Sequence, residues 1–220
     1  MTGHEPGPAP QAADRHALVG PRALWHEKRT FQFRFLRDAG LQPGHRLLDL
    51  GCGTLRGGIP LIDYLQAGHY TGVDVRPHVI TEARRECDDH GLAAKSPVLL
   101  CHDDLRRLAL PHRFDVVWAF SVLIHMDDDT LDAALACVRR HLHPGGQFLA
   151  NVNLGDRPDG AWQGFPLVWR SMAFYDAAFR RHGLHVIDLG TLARFGNPTR
   201  HRDPQTEATQ HMLRAIPAGG

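Results

Sequence analysis

Short apolar runs alternate with amphipathic segments along most of this chain. The runs at Leu47–Leu50, 70–75, Val98–Cys101, 114–120, 147–152 and 184–189 are short and nearly continuous, which predicts strands buried on both faces. The segments between them follow the helical period. Residues 23–39 put Leu24, Phe31 and Phe35 on one face, and Gly40 followed by Pro43-Gly44 ends that helix. Residues 58–65 turn Leu61, Ile62 and Leu65 inward. A helix opened by Pro77, whose missing N–H costs nothing in a first turn, carries Ile80, Ala83 and Cys87. Residues 129–142 align Leu131, Leu135, Val138 and Leu142, and Pro144-Gly145-Gly146 then turns the chain into the fifth strand. After residue 153 the pattern loosens into a loop over 154–170, a helix over 171–182, a polar stretch over 194–207 and a last strand over 209–216. Strands alternating with helices in this way predict an α/β fold with a mostly parallel sheet covered on both faces.

Composition narrows the class. A chain of 220 residues suits one domain, here 15–220. Residues 1–14 are rich in Pro, Gly and Ala and read as a disordered tail, followed by a helical lid over 15–40. Cys52, Cys87, Cys101 and Cys137 form no CxxC pair and read as small buried hydrophobes in a reducing compartment. No stretch has the length of a membrane span, and no charged leader precedes an apolar run, so a cytoplasmic protein without membrane contact is expected. The formal net charge is +1 and the arginine doublets are dispersed, which argues against a nucleic-acid surface. Among the basic residues other than histidine, lysine occurs only at Lys28 and Lys95.

The chemistry concentrates at residues 46–58, Arg-Leu-Leu-Asp-Leu-Gly-Cys-Gly-Thr-Leu-Arg-Gly-Gly. A buried strand feeds a glycine-rich turn, where main-chain N–H groups can approach a ligand because no Cβ stands in the way. Ligands of such sheets sit beyond the carboxyl ends of the strands. Three acids fall there: Asp49 ending the first strand, Asp74 near the end of the second, and Asp103 after the third, with Asp104 as its near neighbour. Asp74 lies roughly 20 residues past the glycine turn, a spacing that suits a carboxylate accepting from ribose hydroxyls; the alternative is a helix cap for the segment beginning at Pro77. A dinucleotide turn needs GxGxxG, and Arg56 stands at its third glycine, which disfavours a nicotinamide oxidoreductase. The phosphate loop GxxxxGK[ST] is absent.

Asp49-Leu-Gly51-Cys-Gly53, Gly72-Val-Asp74, Phe114-Asp115-Val-Val and Pro144-Gly145-Gly146 together resemble the class I S-adenosylmethionine-dependent methyltransferases. The string from Gly51 to Gly58, followed by Tyr64-Leu65, Gly68, Tyr70, Gly72 and Asp74, is most similar to small bacterial members with a GCGxLRGG motif. The resemblance implies a single Rossmann-like domain whose seven-stranded sheet ends in an antiparallel strand. It implies S-adenosyl-L-methionine as cofactor. Gly51, Cys52 and Gly53 would pass under its methionine part and Asp49 would hold its ammonium. Asp74 with Val75 would take the ribose, Asp103 or Asp104 the adenine edge, and Phe120 would line the adenine pocket. Leu55 stands where the common DxGxGxG pattern has its third glycine, and Arg56 is the candidate to compensate by meeting the cofactor carboxylate; a packing role is the alternative.

Methyl transfer needs the acceptor aligned, and a hydroxyl or ammonium acceptor must lose a proton. His125, just after the fourth strand, is the first candidate base, ahead of His26 and Tyr175; bracing a loop is its alternative role. Trp25-His26-Glu27-Lys28 are placed to close over the cofactor, and Trp162, Phe165 and Trp169 to stack on an acceptor or to pack the lid. Arg200-His201-Arg202 would meet an acidic group or form a solvated loop. No histidine spacing, including that of His141 and His143, suggests a metal. The expected activity is methylation of a small metabolite at oxygen, less so at nitrogen. The alternatives are an RNA or protein methyltransferase, with a continuous basic or aromatic groove, and a non-catalytic S-adenosylmethionine-binding protein. The sequence leaves the oligomeric state open.

Overall fold

The computed structural model describes residues 12–20, 22–162, 164–198 and 208–219. Residues 1–11 of the expected tail and the Arg200-His201-Arg202 cluster lie outside them. Helix α1 occupies Ala12–Ala17, so the last three residues of the expected tail are helical.

Helix α2 (Trp25–Asp38) leads into strand β1 (Leu47–Leu50), α3 (Gly58–Tyr64), β2 (Tyr70–Asp74), α4 (Pro77–Asp89) and β3 (Val98–Cys101). Strand β4 (Phe114–Ala119), α5 (Asp128–His141) and β5 (Leu142–Asn153) follow. A small hairpin of β6 (Gly160–Trp162) and β7 (Phe165–Leu167) precedes α6 (Met172–Arg181), β8 (Leu184–Thr191) and β9 (Gln210–Pro217). The main sheet has seven strands in the order β3-β2-β1-β4-β5-β9-β8. Strands β1 to β5 pair in parallel, and β9 inserts antiparallel between β5 and β8. This is the α/β architecture that the alternating pattern predicts, in the Rossmann-like form that the family resemblance implies.

The period of two along each strand builds two cores. On β4, Val116 and Trp118 face one layer with Phe31, Phe35 and Leu36 of α2 and with Leu61, Ile62 and Ile80. Val117 and Ala119 face the other, with Leu131, Leu135 and Val138 of α5 and Phe179 of α6. Side chains that alternate faces feed both layers from one strand, so near-continuous apolar runs are needed. Helix α5 starts where the Asp127 carboxylate accepts from Thr130 N at 2.9 Å, and α6 where the Ser171 hydroxyl accepts from Phe174 N at 3.2 Å.

Three expectations need correction. Strand β5 begins at Leu142 rather than at 147, and Pro144-Gly145-Gly146 lies within it, at a register shift against β4. A Cβ on Gly146 would sit 2.8 Å from the Asp115 carbonyl oxygen, so only glycine passes there. The 154–170 segment is not a bare loop but carries the β6–β7 hairpin. Cys101, unlike the other three cysteines, is exposed.

The N-terminal segment is fixed over the sheet edge by charge. Arg15 of α1 is buried and reaches three carboxylates of α4: Glu82 at 3.4 Å, Glu86 at 3.3 Å and Asp89 at 2.6 Å. Arg29 joins Glu86 at 3.2 Å, and His16 stacks on Trp25 at 3.7 Å. Residues 18–20 are thereby held across the ends of β1 and β2. Among the described residues no helix is long and apolar enough to cross a membrane.

Candidate active site

A cavity of about 400 Å³ opens at the carboxyl ends of β1, β2 and β4, within the usual size range for small-ligand sites. Asp49, Gly51, Cys52, Gly53, Arg56, Asp74, Val75, Phe120 and His125 all line it. The chain therefore brings nine of its eleven candidate residues together. Asp103 and Asp104 do not line it: Asp103 is exposed, and Asp104 caps its own turn by accepting from Arg106 N at 2.9 Å. His102 and Leu105 present themselves there instead. Of the other candidates, neither His26 nor Tyr175 reaches the cavity, Tyr175 being buried in the core on the α5–α6 side of the sheet. Trp162 and Phe165 of the hairpin line it, whereas Trp169 does not.

The glycine turn works differently from the expectation. The amides of Gly51 and Cys52 both donate to the Val73 carbonyl, at 2.7 and 3.0 Å, and Gly53 N donates to Asp74 Oδ2 at 3.1 Å. These N–H groups lock the turn onto β2 rather than facing outward. Both glycines take the left-handed backbone, with φ of 70° and 57°. A Cβ on Gly51 would collide with Val122, and one on Gly53 would approach Val19 to 2.6 Å. Leu55, in the third glycine position, adopts the same region with φ of 61°. That conformation costs a non-glycine residue about 1 kcal/mol, here offset by complete burial of its side chain.

Asp49 is buried, and its Oδ2 accepts from the Tyr70 hydroxyl at 2.7 Å. Gly58 leaves the room for that hydroxyl, since a Cβ there would lie 2.6 Å from it. Burial pushes the Asp49 carboxyl up to about 7, against the Tyr70 hydrogen bond and helped by the charge of Asp74. The raised value has a sign in stability. The neutral acid suits the fold, so its contribution is complete below about pH 4 and is lost as pH rises through 7. Roughly three pKa units correspond to about 4 kcal/mol. In chemical denaturation, the stability of Asp49→Asn minus that of the wild type is expected to grow by up to that amount between pH 4 and 8. A constant difference would mean that Asp49 titrates normally.

Asp74 is more fully engaged. Its Oδ1 accepts from the backbone N and Nε of Arg76, at 3.0 and 3.1 Å, and its Oδ2 from Gly53 N and Arg76 Nη2, the latter at 3.3 Å. Arg76 also donates from Nη1 to the Leu18 carbonyl at 3.1 Å and lies 5.6 Å over the Phe165 ring. One side chain thus ties the end of β2 to the N-terminal segment and to the hairpin.

Two cations line the same cavity as these acids. Arg56 is 8% exposed, donates from Nη1 to the Val19 carbonyl at 2.8 Å, and has a buried Nε without a partner. Lys28 of α2 lines the same wall with Gln32, one turn further along the helix. Gln32 Oε1 accepts from the Trp118 indole at 3.3 Å. Of the Trp25–Lys28 stretch expected to close over the cofactor, Lys28 lines the cavity, whereas Tyr70, Arg76 and Gln32 carry no expectation as site residues from the sequence. Gln32 did carry a signal, a polar residue on a helix whose neighbours Phe31 and Phe35 are core.

His125 follows β4 in a short 3₁₀ turn. Its Nδ1 lies 2.7 Å from the Pro166 carbonyl, an acceptor only, so Nδ1 carries the proton and Nε2 the lone pair. The ring stacks on Trp162 at 5.6 Å. Burial holds its pKa below the usual histidine range, the Pro166 hydrogen bond opposes that, and the charge of Arg76 adds to it.

With this geometry in place, the likenesses to known proteins gain meaning. Residues 47–146 match the model of a methyltransferase domain family. The chain is 28% identical over 112 residues to sterol 24-C-methyltransferase ERG6B of Gibberella zeae, covering 50% of this chain and 28% of that one. It is 32% identical over 125 residues to the ubiquinone/menaquinone biosynthesis C-methyltransferase UbiE of Cupriavidus necator, covering 55% and 48%. The chain thus spans less than half the length of either relative. The glycopeptide N-methyltransferase MtfA, solved with S-adenosyl-L-homocysteine, superposes with a TM-score of 0.67 at 19% identity, over 95% of this chain and 98% of that one. The family match thus covers just under half of the chain, and the whole has the fold of solved S-adenosylmethionine-dependent methyltransferases.

Proposed function

We propose that this chain is an S-adenosylmethionine-dependent methyltransferase that methylates an oxygen of a small, largely apolar acceptor. Bound in the cavity, the sulfonium cofactor supplies an already activated methyl group. The residues present fit its parts. Asp49 faces the ammonium, whose charge favours the ionised carboxylate and so couples binding to proton release. Asp74 takes the ribose hydroxyls, Phe120 and Val75 flank the base, and Gly51 to Gly53 leave space under the chain between them. Arg56 faces the carboxylate end. Asp103 and Asp104 have no direct part in this reading, because neither lines the cavity. The adenine edge falls instead to the His102–Leu105 wall.

The observation that carries a proton-losing acceptor, with a hydroxyl put ahead of an ammonium, is the setting of His125. It is neutral at pH 7, with Nδ1–H fixed on Pro166 and the Nε2 lone pair free to accept a hydroxyl proton. The Pro166 carbonyl then stabilises the imidazolium that forms. Trp162, Phe165, Leu167, Ile124 and Met126 around it give an apolar wall. The roof of residues 18–20 and the hairpin favour a small acceptor over RNA or protein.

The test has two stages. Calorimetry with S-adenosylhomocysteine is expected to show one site. Labelled methyl from S-adenosylmethionine is then offered to hydroxylated aromatics, to matched amines, to RNA and to protein. Label appearing first in the hydroxylated compounds supports the reading; label confined to amines or polymers overturns the acceptor assignment, and binding without any transfer favours a non-catalytic role.

A further inference from the structure

Arg76 links two parts of the cavity. On one side its Nε and Nη2 hold the Asp74 carboxylate, at 3.1 and 3.3 Å. On the other its guanidinium lies over the Phe165 ring of the hairpin, whose centroid is 6.0 Å from that of His125. Its charge reaches the His125 ring, where it works against protonation. Nη1 donates to the Leu18 carbonyl at 3.1 Å and ties the side chain to the cavity roof.

The hairpin side offers this cation no acid. Among the described residues that line the cavity, Asp49 and Asp74 are the only carboxylates. Asp49 is buried and already accepts from the Tyr70 hydroxyl. In the free protein Asp74 balances Arg76. A ribose on Asp74 upsets that balance. Gly53 N and Arg76 N are main-chain donors fixed by the turn, so they stay on the carboxylate. The guanidinium sits on a flexible stem and is the donor that yields. It then keeps its charge beside Phe165 and His125, with its fork of N–H groups free. A guanidinium in that state matches a carboxylate, which it can grip with two parallel hydrogen bonds.

The same wall suits a flat ring. Trp162 lines the cavity with 39% of its surface exposed, and its indole lies 5.6 Å from the His125 imidazole, within 22° of parallel. An aromatic acceptor there meets ring faces, a neutral imidazole and one cation.

We infer that Arg76 sets the acceptor's class: released from Asp74 when the cofactor's nucleoside binds, it meets a carboxylate on the acceptor, which is a hydroxylated aromatic acid. This rests on the cofactor reading above and narrows its acceptor. The acid binds well only with the nucleoside in place, and by linkage it tightens the nucleoside by the same factor.

Calorimetry on the full chain compares the monohydroxybenzoic acids with their neutral amides, which have the same shape, each with and without saturating S-adenosylhomocysteine. In the loaded protein at least one acid is expected to bind tenfold or more tighter than its amide. Without S-adenosylhomocysteine that advantage is expected to fall below threefold. Arg76→Gln is expected to abolish it in the loaded protein while S-adenosylhomocysteine affinity is kept or tightened, a split that general unfolding does not produce. The inference is overturned if no acid exceeds its amide in the loaded wild type, if the preference is equal without S-adenosylhomocysteine, or if it survives in Arg76→Gln. The cofactor reading stands in each of those cases, because the S-adenosylhomocysteine titration reads it separately. Wild-type protein that takes up no S-adenosylhomocysteine overturns both together.

Discussion

Replacing Asp74 with Asn is expected to weaken S-adenosylhomocysteine binding roughly 100-fold, about 2.7 kcal/mol. A hydrogen bond to a charged acceptor contributes about 1.5–3 kcal/mol, and two ribose hydroxyls compete for this carboxylate. The loss is smaller than the sum because Asp74 is already saturated. Gly53 N and three donors of Arg76 occupy its four acceptor positions. A ribose can bind there only by displacing the Arg76 guanidinium. Arg76→Ala is therefore expected to act in the opposite direction, leaving the carboxylate open and tightening binding several-fold. The same calorimetric titration reads both variants. If Arg76→Ala weakens binding as much as Asp74→Asn does, Arg76 holds the ligand itself and the competition is refuted.

The second large effect concerns His125. His125→Ala is expected to lower kcat by roughly 10²–10⁴, the range for a lost general base, with little change in S-adenosylhomocysteine affinity. The pH profile carries the sign. A base must be neutral, and burial holds the pKa of His125 below the usual histidine range. The wild-type rate with a hydroxylated acceptor should thus rise with pH through a value below 6.5 and stay flat above it. The variant should lack that acid limb. An unaltered limb and a rate within a few-fold of wild type would assign His125 to bracing the hairpin through Pro166.

Both predictions depend on the hairpin, which shows where pattern and packing part company. Apolar runs with strict local causes were readable directly: Leu47–Leu50 and Val98–Cys101 have the expected bounds, and Pro77 opens α4. The β6–β7 hairpin has three-residue strands without alternation, and its anchors are distant. They include His125 to Pro166 and Val168 N to the Ile124 carbonyl at 2.9 Å. No local pattern encodes such contacts. The start of β5 was missed for a similar reason, since Pro and Gly normally end strands and here sit in a bulge that Gly146 alone permits.

The sequence by itself determined the sheet, its helical cover and the nine residues that gather at its carboxyl edge. Strand ends are ordered by connectivity, so an acid at the end of an apolar run is carried to the ligand side whatever surrounds it. Only the tertiary structure decided which groups engage one another. Asp49 and Tyr70, Asp74 and Arg76, and Lys28 and Arg56 are each brought together by packing, and burial then sets their charge. Their interactions depend on distance and desolvation, and spacing along the chain records neither.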